Sequence, residues 1–104
     1  MIGPVTAATV HESGARIVVA GEVDAFSAPR ITEVVDLRLG DGEKVIRLDL
    51  RDTTFCDSAG LVTLLDCRAA AQGAGARFVL VAPSDPVLRL LDLAGLADFF
   101  ETEA

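Results

Sequence analysis

The stretch "KVIRLDLRDTTFCDSAGLVTLL", Lys44 to Leu65, decides the fold. Its first part alternates. Ile46, Leu48 and Leu50 fall on one face and Val45, Arg47 and Asp49 on the other, the period of two that marks a strand. From Ser58 the period changes. Leu61, Leu64, Leu65, Arg68 and Ala69 recur at steps of three and four, which predicts an amphipathic helix that stops at Gly73-Ala74-Gly75. "RFVLVA", Arg77 to Ala82, reads as a second short apolar strand. A strand, a crossover helix and a strand in succession imply parallel pairing with the helix packed on the sheet.

Outward from this unit the same grammar recurs. "VTAATVHE" and "ARIVVAGEV" flank Ser13-Gly14, are rich in β-branched residues and read as a hairpin. "SAPRITEVVDLRLG" carries Ile31, Val34, Val35 and Leu39 at helical spacing, with Ser27 as cap, Pro29 in an early position and Gly40 as stop. "SDPVLRLLDLAG" repeats the pattern: Ser84 caps, Pro86 lies in the first turn, Gly95 follows the end, and Val87, Leu90, Leu91 and Ala94 form the buried stripe. The ending "ADFFETEA" fits a short strand or a short helix equally. The expected fold is α/β, one domain over residues 1–104, a small mixed β-sheet with helices packed on it in the order β-β-α-β-α-β-α.

Composition narrows the function. A chain of 104 residues, 51% hydrophobic, points to one domain that buries its own core. The net charge of −7 argues against nucleic acid and against direct binding to anionic membranes. Five Phe with no Trp or Tyr supply a poor platform for stacking bases. No apolar run approaches the ~20 residues that span a bilayer, and "MIGPVTAATV" lacks the basic and long apolar regions of a signal peptide. Its Gly is third, not second, so it is not a myristoylation signal either. A cytoplasmic location is expected. Cys56 and Cys67 then read as reduced, small buried residues; with a single His they could form a metal site only with help from carboxylates, so neither a metal nor a cofactor is expected.

What chemistry could Ser58 carry? The nucleophile elbow G-x-S-x-G would need Gly at 56, which is Cys, and the one possible base, His11, lies in the first strand. Gly73-Ala74-Gly75 is not followed by Lys-Ser or Lys-Thr, so no phosphate-cradling loop is present. The chain is not expected to be an enzyme. Asp57 and Ser58 are both capable helix caps, and only one is needed. If Asp57 caps, Ser58 stands on the first helical turn with its hydroxyl outward. Gly60 leaves the backbone there uncovered. The end of a strand leading into a helix is a common place for sites in α/β folds, and a hydroxyl there suits phosphorylation.

The stretch from Val45 to Leu96, with "VVAGEVDAFSAPRI" before it, "DSAGL" at Asp57 to Leu61 and Gly95-Leu96 after a Leu-rich helix, resembles the STAS domains of bacterial anti-sigma factor antagonists. The likeness runs from about Val5 to Phe100. It implies a regulatory binding protein. Such antagonists bind a cytoplasmic anti-sigma factor that is also a serine kinase, so that a sigma factor is released. The kinase then phosphorylates the antagonist's serine, which matches Ser58, and a serine phosphatase resets the switch. Asp24 and Asp57 match the family's acidic positions near that serine. Cys56 stands where an aliphatic residue is frequent and Ala59 where a second Ser or Thr is frequent. Related domains also serve as scaffold subunits in lipid-transport or stress-signalling assemblies, where the serine need not be phosphorylated. The expected partner face is Asp24, Phe26, Asp57, Ser58, Ala59, Gly60 and the exposed side of the following helix. For Phe26, set among small and polar residues, packing beneath the first helix is the favoured reading and a partly exposed anchor the alternative. Thr53 and Thr54 carry hydroxyls too, but on the approaching strand, where they pair in the sheet.

Overall fold

The computed structural model describes residues 9–11 and 14–104. Strands β1 (Thr9–His11) and β2 (Gly14–Val18) pair antiparallel, as the hairpin reading requires. Ser13 of the expected turn, and residues 5–8 and 12 of the expected first strand, lie outside the described residues. β2 runs parallel to β4 (Val45–Asp49), β4 to β6 (Arg77–Val81) and β6 to β7 (Glu101–Glu103), so the main sheet has the order β1-β2-β4-β6-β7. Helices α1 (Ala28–Gly40), α2 (Ser58–Gly73) and α3 (Asp85–Leu93) connect the strands.

The α/β class and mixed sheet are those expected, but the element order is richer by three strands. β7 resolves the open ending as a strand. The other two arise together. β2 and β4 stay paired as far as Val18 and Asp49, and then both chains leave the main sheet. Gly21 adopts φ +92°, a conformation costly for a side chain, while the Asp49 carboxylate accepts the Arg51 amide at 3.0 Å. The chains meet again as β3 (Gly21–Val23) and β5 (Thr53–Cys56), a separate two-stranded parallel sheet. The buried Thr53 hydroxyl donates to the Val19 carbonyl at 2.9 Å and pins this offshoot to its origin.

Ile17, Ile46, Leu48, Phe78 and Leu80 form the inner face of the main sheet, packed against Ile31, Val34 and Val35 of α1 and Leu64, Cys67 and Ala71 of α2. Each fully buried aliphatic side chain contributes about 1.5–3 kcal/mol. The opposite face carries ion pairs, Arg16 with Asp49 and Arg47 with Glu103, both at 3.1 Å. The buried face of α2 differs from the expected stripe. It runs through Gly60, Thr63, Leu64, Cys67 and Ala71, while Leu61, Leu65 and Arg68 are half-buried and Ala69 is exposed. This helix packs on both the sheet and α1, and its small residues admit the closer approach. Helices α1 and α2 end where expected, at Gly40 and Gly73. Gly42, at φ +87°, takes the left-handed position beyond α1, two residues after Gly40, and Gly75, at φ +74°, takes it beyond α2, within the expected Gly73-Ala74-Gly75 stop. Ala94, expected in the buried stripe of α3, is exposed at that helix's C-cap, before Gly95 at φ +74°.

Candidate functional site

Asp57 is the cap of α2. Its backbone is extended, and its Oδ1 accepts the amides of Ala59 at 3.0 Å and Gly60 at 3.1 Å. Two of the four unpaired amides of the helix start are thereby satisfied, worth about 1 kcal/mol. The Asp57 amide donates to the Val23 carbonyl at 3.3 Å, which fastens the helix start to β3. With the cap taken by Asp57, Ser58 is the first residue of the helix and is exposed. Ala59 is half-exposed. Gly60 is buried and offers a partner little surface; its place is in the packing.

The neighbouring loop is brought in by β3, whose Val23 is opposite Cys56 of β5. Asp24 Oδ1 accepts the amides of Phe26 at 2.9 Å and Ser27 at 3.1 Å, and the Asp24 carbonyl accepts the Ala28 amide at 2.9 Å. Asp24 therefore caps the turn that leads into α1. Ser27 does not cap with its side chain; its hydroxyl turns back to donate to the Glu22 carbonyl at 2.8 Å. Ser84 departs from expectation in the same way. Its hydroxyl donates to the Thr53 carbonyl at 2.6 Å and ties α3 to β5. Phe26 is 81% exposed, so the favoured reading that it packs beneath the first helix is wrong. The Asp24 turn holds the ring away from the helix face it would have covered.

Between this loop and α2 lies an apolar groove of about 560 Å³, lined by Ala25, Ala28, Pro29, Thr32, Ala59, Val62 and Thr63. No charged residue lines it. On the other flank, Phe55, Cys56, Pro86, Arg89, Leu90 and Leu93 surround a smaller hollow of about 210 Å³. The Cys56 thiol is pushed up to about 11 by burial and by the Asp57 charge beside it, so it remains a neutral thiol at neutral pH and a weak nucleophile or metal ligand.

The STAS domain family model matches residues 6–104. This chain belongs to the STAS domain family. Among its relatives, the anti-sigma-B factor antagonist of Listeria monocytogenes is 33% identical over 85 residues, which cover 82% of this chain and 75% of that protein. A crystal structure of an anti-sigma factor antagonist from Mycobacterium paratuberculosis is similar with a TM-score of 0.82 at 24% identity, covering 97% of this chain and 86% of that one. The Bacillus cell fate determinant SpoIIAA in its phosphorylated form is similar with a TM-score of 0.74 at 19% identity, covering 97% of this chain and 92% of that one. Its relatives place this STAS domain with the anti-sigma factor antagonists, which are regulatory proteins.

Several groove residues of this STAS domain were not assigned to the partner face by number: Ala25, Thr32 and Thr63, with Pro29 read only as a helix start and Val62 included only as part of the exposed side of α2. One signal was available. Val62 lies off the stripe defined by Leu61, Leu64 and Leu65, and an apolar residue off the stripe of an amphipathic helix faces solvent or a partner; it is 54% exposed. Phe55 and Leu93 gave no such signal, because their exposure depends on how β5 and α3 meet. Among the described residues, no helix is long and apolar enough to cross a membrane.

Proposed function

We propose that this protein, acting in the cytoplasm as a single STAS domain, is a phosphorylation-switched antagonist and not an enzyme. With Ser58 unmodified it binds an anti-sigma factor that is also a serine kinase, and a sigma factor is released. Phosphorylation of Ser58 by that kinase ends the complex, and a serine phosphatase restores it. The partner meets Phe26, the apolar groove beside it, and the Ser58 end of α2.

The observation that carries this reading is the division of labour at the helix start. Asp57 takes the capping amides and Ser58 is left exposed. A phosphate on Ser58 adds about −1.5 to −2 charges at pH 7. The helix end favours that charge by roughly 0.3–1 kcal/mol. The Ala59 and Gly60 amides are already committed to the Asp57 carboxylate, so the fold does not absorb the new group. It projects outward, beside the Asp57 carboxylate. Against a partner surface, like-charge contact and desolvation of the added phosphate cost several kcal/mol, and each ~1.4 kcal/mol is about tenfold in affinity. Two to three decades of affinity are lost with no refolding. An uncharged, apolar groove next to the switch supplies the attraction that the phosphate overrides.

The test is a pair of variants. Ser58→Ala binds the anti-sigma factor and takes no phosphate. Ser58→Glu melts at the wild-type temperature and binds about 100-fold more weakly. Wild-type affinity in Ser58→Glu, or phosphate found by mass spectrometry on Thr53 or Thr54 instead, overturns the reading.

A further inference from the structure

Gly60 sits where the first turn of α2 is wedged against the two-stranded sheet. A Cβ placed on it would lie 2.5 Å from Cys56 Sγ, 3.0 Å from Val23 Cγ1 and 3.5 Å from the Val23 carbonyl oxygen. All three contacts belong to the end of β3 and β5 from which Ser58 is launched. The Gly60 amide holds the Asp57 carboxylate at 3.1 Å, the Asp57 amide holds the Val23 carbonyl at 3.3 Å, and the Cys56 thiol lies 3.8 Å from the Asp57 carbonyl it faces. Val23, Cys56, Asp57 and Gly60 are thus linked to one another where the first turn of α2 meets β3 and β5, beside the exposed Ser58.

We infer that Gly60 and Cys56 are a matched pair of positioning residues: the missing side chain at 60 makes room for the sulfur at 56, and their fit sets the height and direction at which α2 presents Ser58 to a kinase. This rests on the proposal that Ser58 is phosphorylated. A methyl at position 60 must displace either the sulfur or the whole first turn. Displacing the turn lengthens the bonds from Asp57 to the Ala59 and Gly60 amides and tilts the hydroxyl. Because a reacting atom misplaced by about 1 Å loses up to about 100-fold in rate, the consequence appears in phosphoryl transfer well before the fold is lost.

The experiment compares wild type, Gly60→Ala, Cys56→Ala and the double variant Cys56→Ala/Gly60→Ala. Amide exchange at residues 59 and 60 and the melting temperature are measured on each purified chain. Phosphorylation of Ser58 is measured with each purified anti-sigma factor kinase of the source organism and Mg-ATP. Gly60→Ala should exchange faster at 59 and 60 and lose about 10- to 100-fold in kcat with a smaller change in KM. Cys56→Ala alone, which keeps the room at 60 but removes the sulfur that fills it, should lose less protection and less kcat than Gly60→Ala, and adding it to Gly60→Ala should bring both back to the level of Cys56→Ala. The inference is overturned by wild-type kcat and protection in Gly60→Ala, or by a double variant no better than Gly60→Ala, including one that fails to fold where Gly60→Ala also fails. A Gly60→Ala that does not fold while the double variant folds and is phosphorylated supports it. A wild-type chain inert toward every kinase sinks the functional proposal alone, and the exchange data still decide whether the pair positions the turn.

Discussion

Asp24 and Ser27 close a reciprocal ring: the Asp24 carboxylate accepts the Ser27 amide at 3.1 Å and the Ser27 hydroxyl accepts the Asp24 amide at 3.0 Å. This is the logic of a capping box, with the roles carried by Asp and Ser. The ring locks the loop between β3 and α1 and leaves Phe26, two residues after Asp24, facing outward. Ser27 is buried, so Ser27→Ala strands the Glu22 carbonyl and the Asp24 amide together. The expected cost is about 1–3 kcal/mol, read by urea denaturation. A loss under about 0.5 kcal/mol would mean that the ring does not hold the loop.

Phe26→Ala should separate stability from binding. The side chain is 81% exposed, so truncation should change stability by no more than about 0.5 kcal/mol. Buried aromatic anchors at interfaces lose about 2 kcal/mol or more on truncation, so affinity for the anti-sigma factor should fall at least about 25-fold. Titration calorimetry measures it, and an unchanged Kd removes Phe26 from the partner face.

Asp57 has two separable jobs, capping and charge. Asp57→Ala loses both amide contacts and should cost about 1 kcal/mol, or about 4–8 °C in melting temperature. Asn caps as well as Asp, so Asp57→Asn should melt near wild type while carrying no charge beside Ser58. In the phosphorylated protein, that variant should regain part of the lost partner affinity. Equal release by both forms would assign the whole electrostatic effect to the phosphate.

Burial pushes the Cys67 thiol up to about 12, reinforced by the charges of Asp36 and Asp66 and opposed by a bond with Thr32. An unfolded thiol ionises near 9.0. Above that pH the unfolded chain loses a proton that the folded chain retains, so unfolding is favoured. Stability is full below about pH 9 and falls as pH rises toward 12. Cys56, raised to about 11, adds to the same slope. Denaturation midpoints across pH 8 to 11 should decline in wild type, and the decline should be shallower in Cys67→Ala, measured relative to each chain's own value at about pH 8. Parallel slopes would show that another group governs alkaline unfolding.

The sequence by itself determined the elements that local chemistry dictates. The change of period at Ser58, the capping carboxylate of Asp57, the prolines at the starts of α1 and α3 and the glycine beyond α3 are each properties of a few adjacent residues, and all are found in the structure. The exposed hydroxyl of Ser58 followed from them, because a helix start needs one cap and Asp57 supplied it. Only the tertiary structure decided the rest. That Val23 lies opposite Cys56, that the Ser84 hydroxyl answers the Thr53 carbonyl instead of capping and that Val23 crowds Gly60 depend on which distant segments meet. The turned-back Ser27 hydroxyl and the exposed Phe26 follow from bonds inside the loop from Glu22 to Ser27 that periodicity does not record. Periodicity records which face of an element is apolar. Whether that face is covered, and how closely, is set by a neighbour that arrives from tens of residues away in the chain.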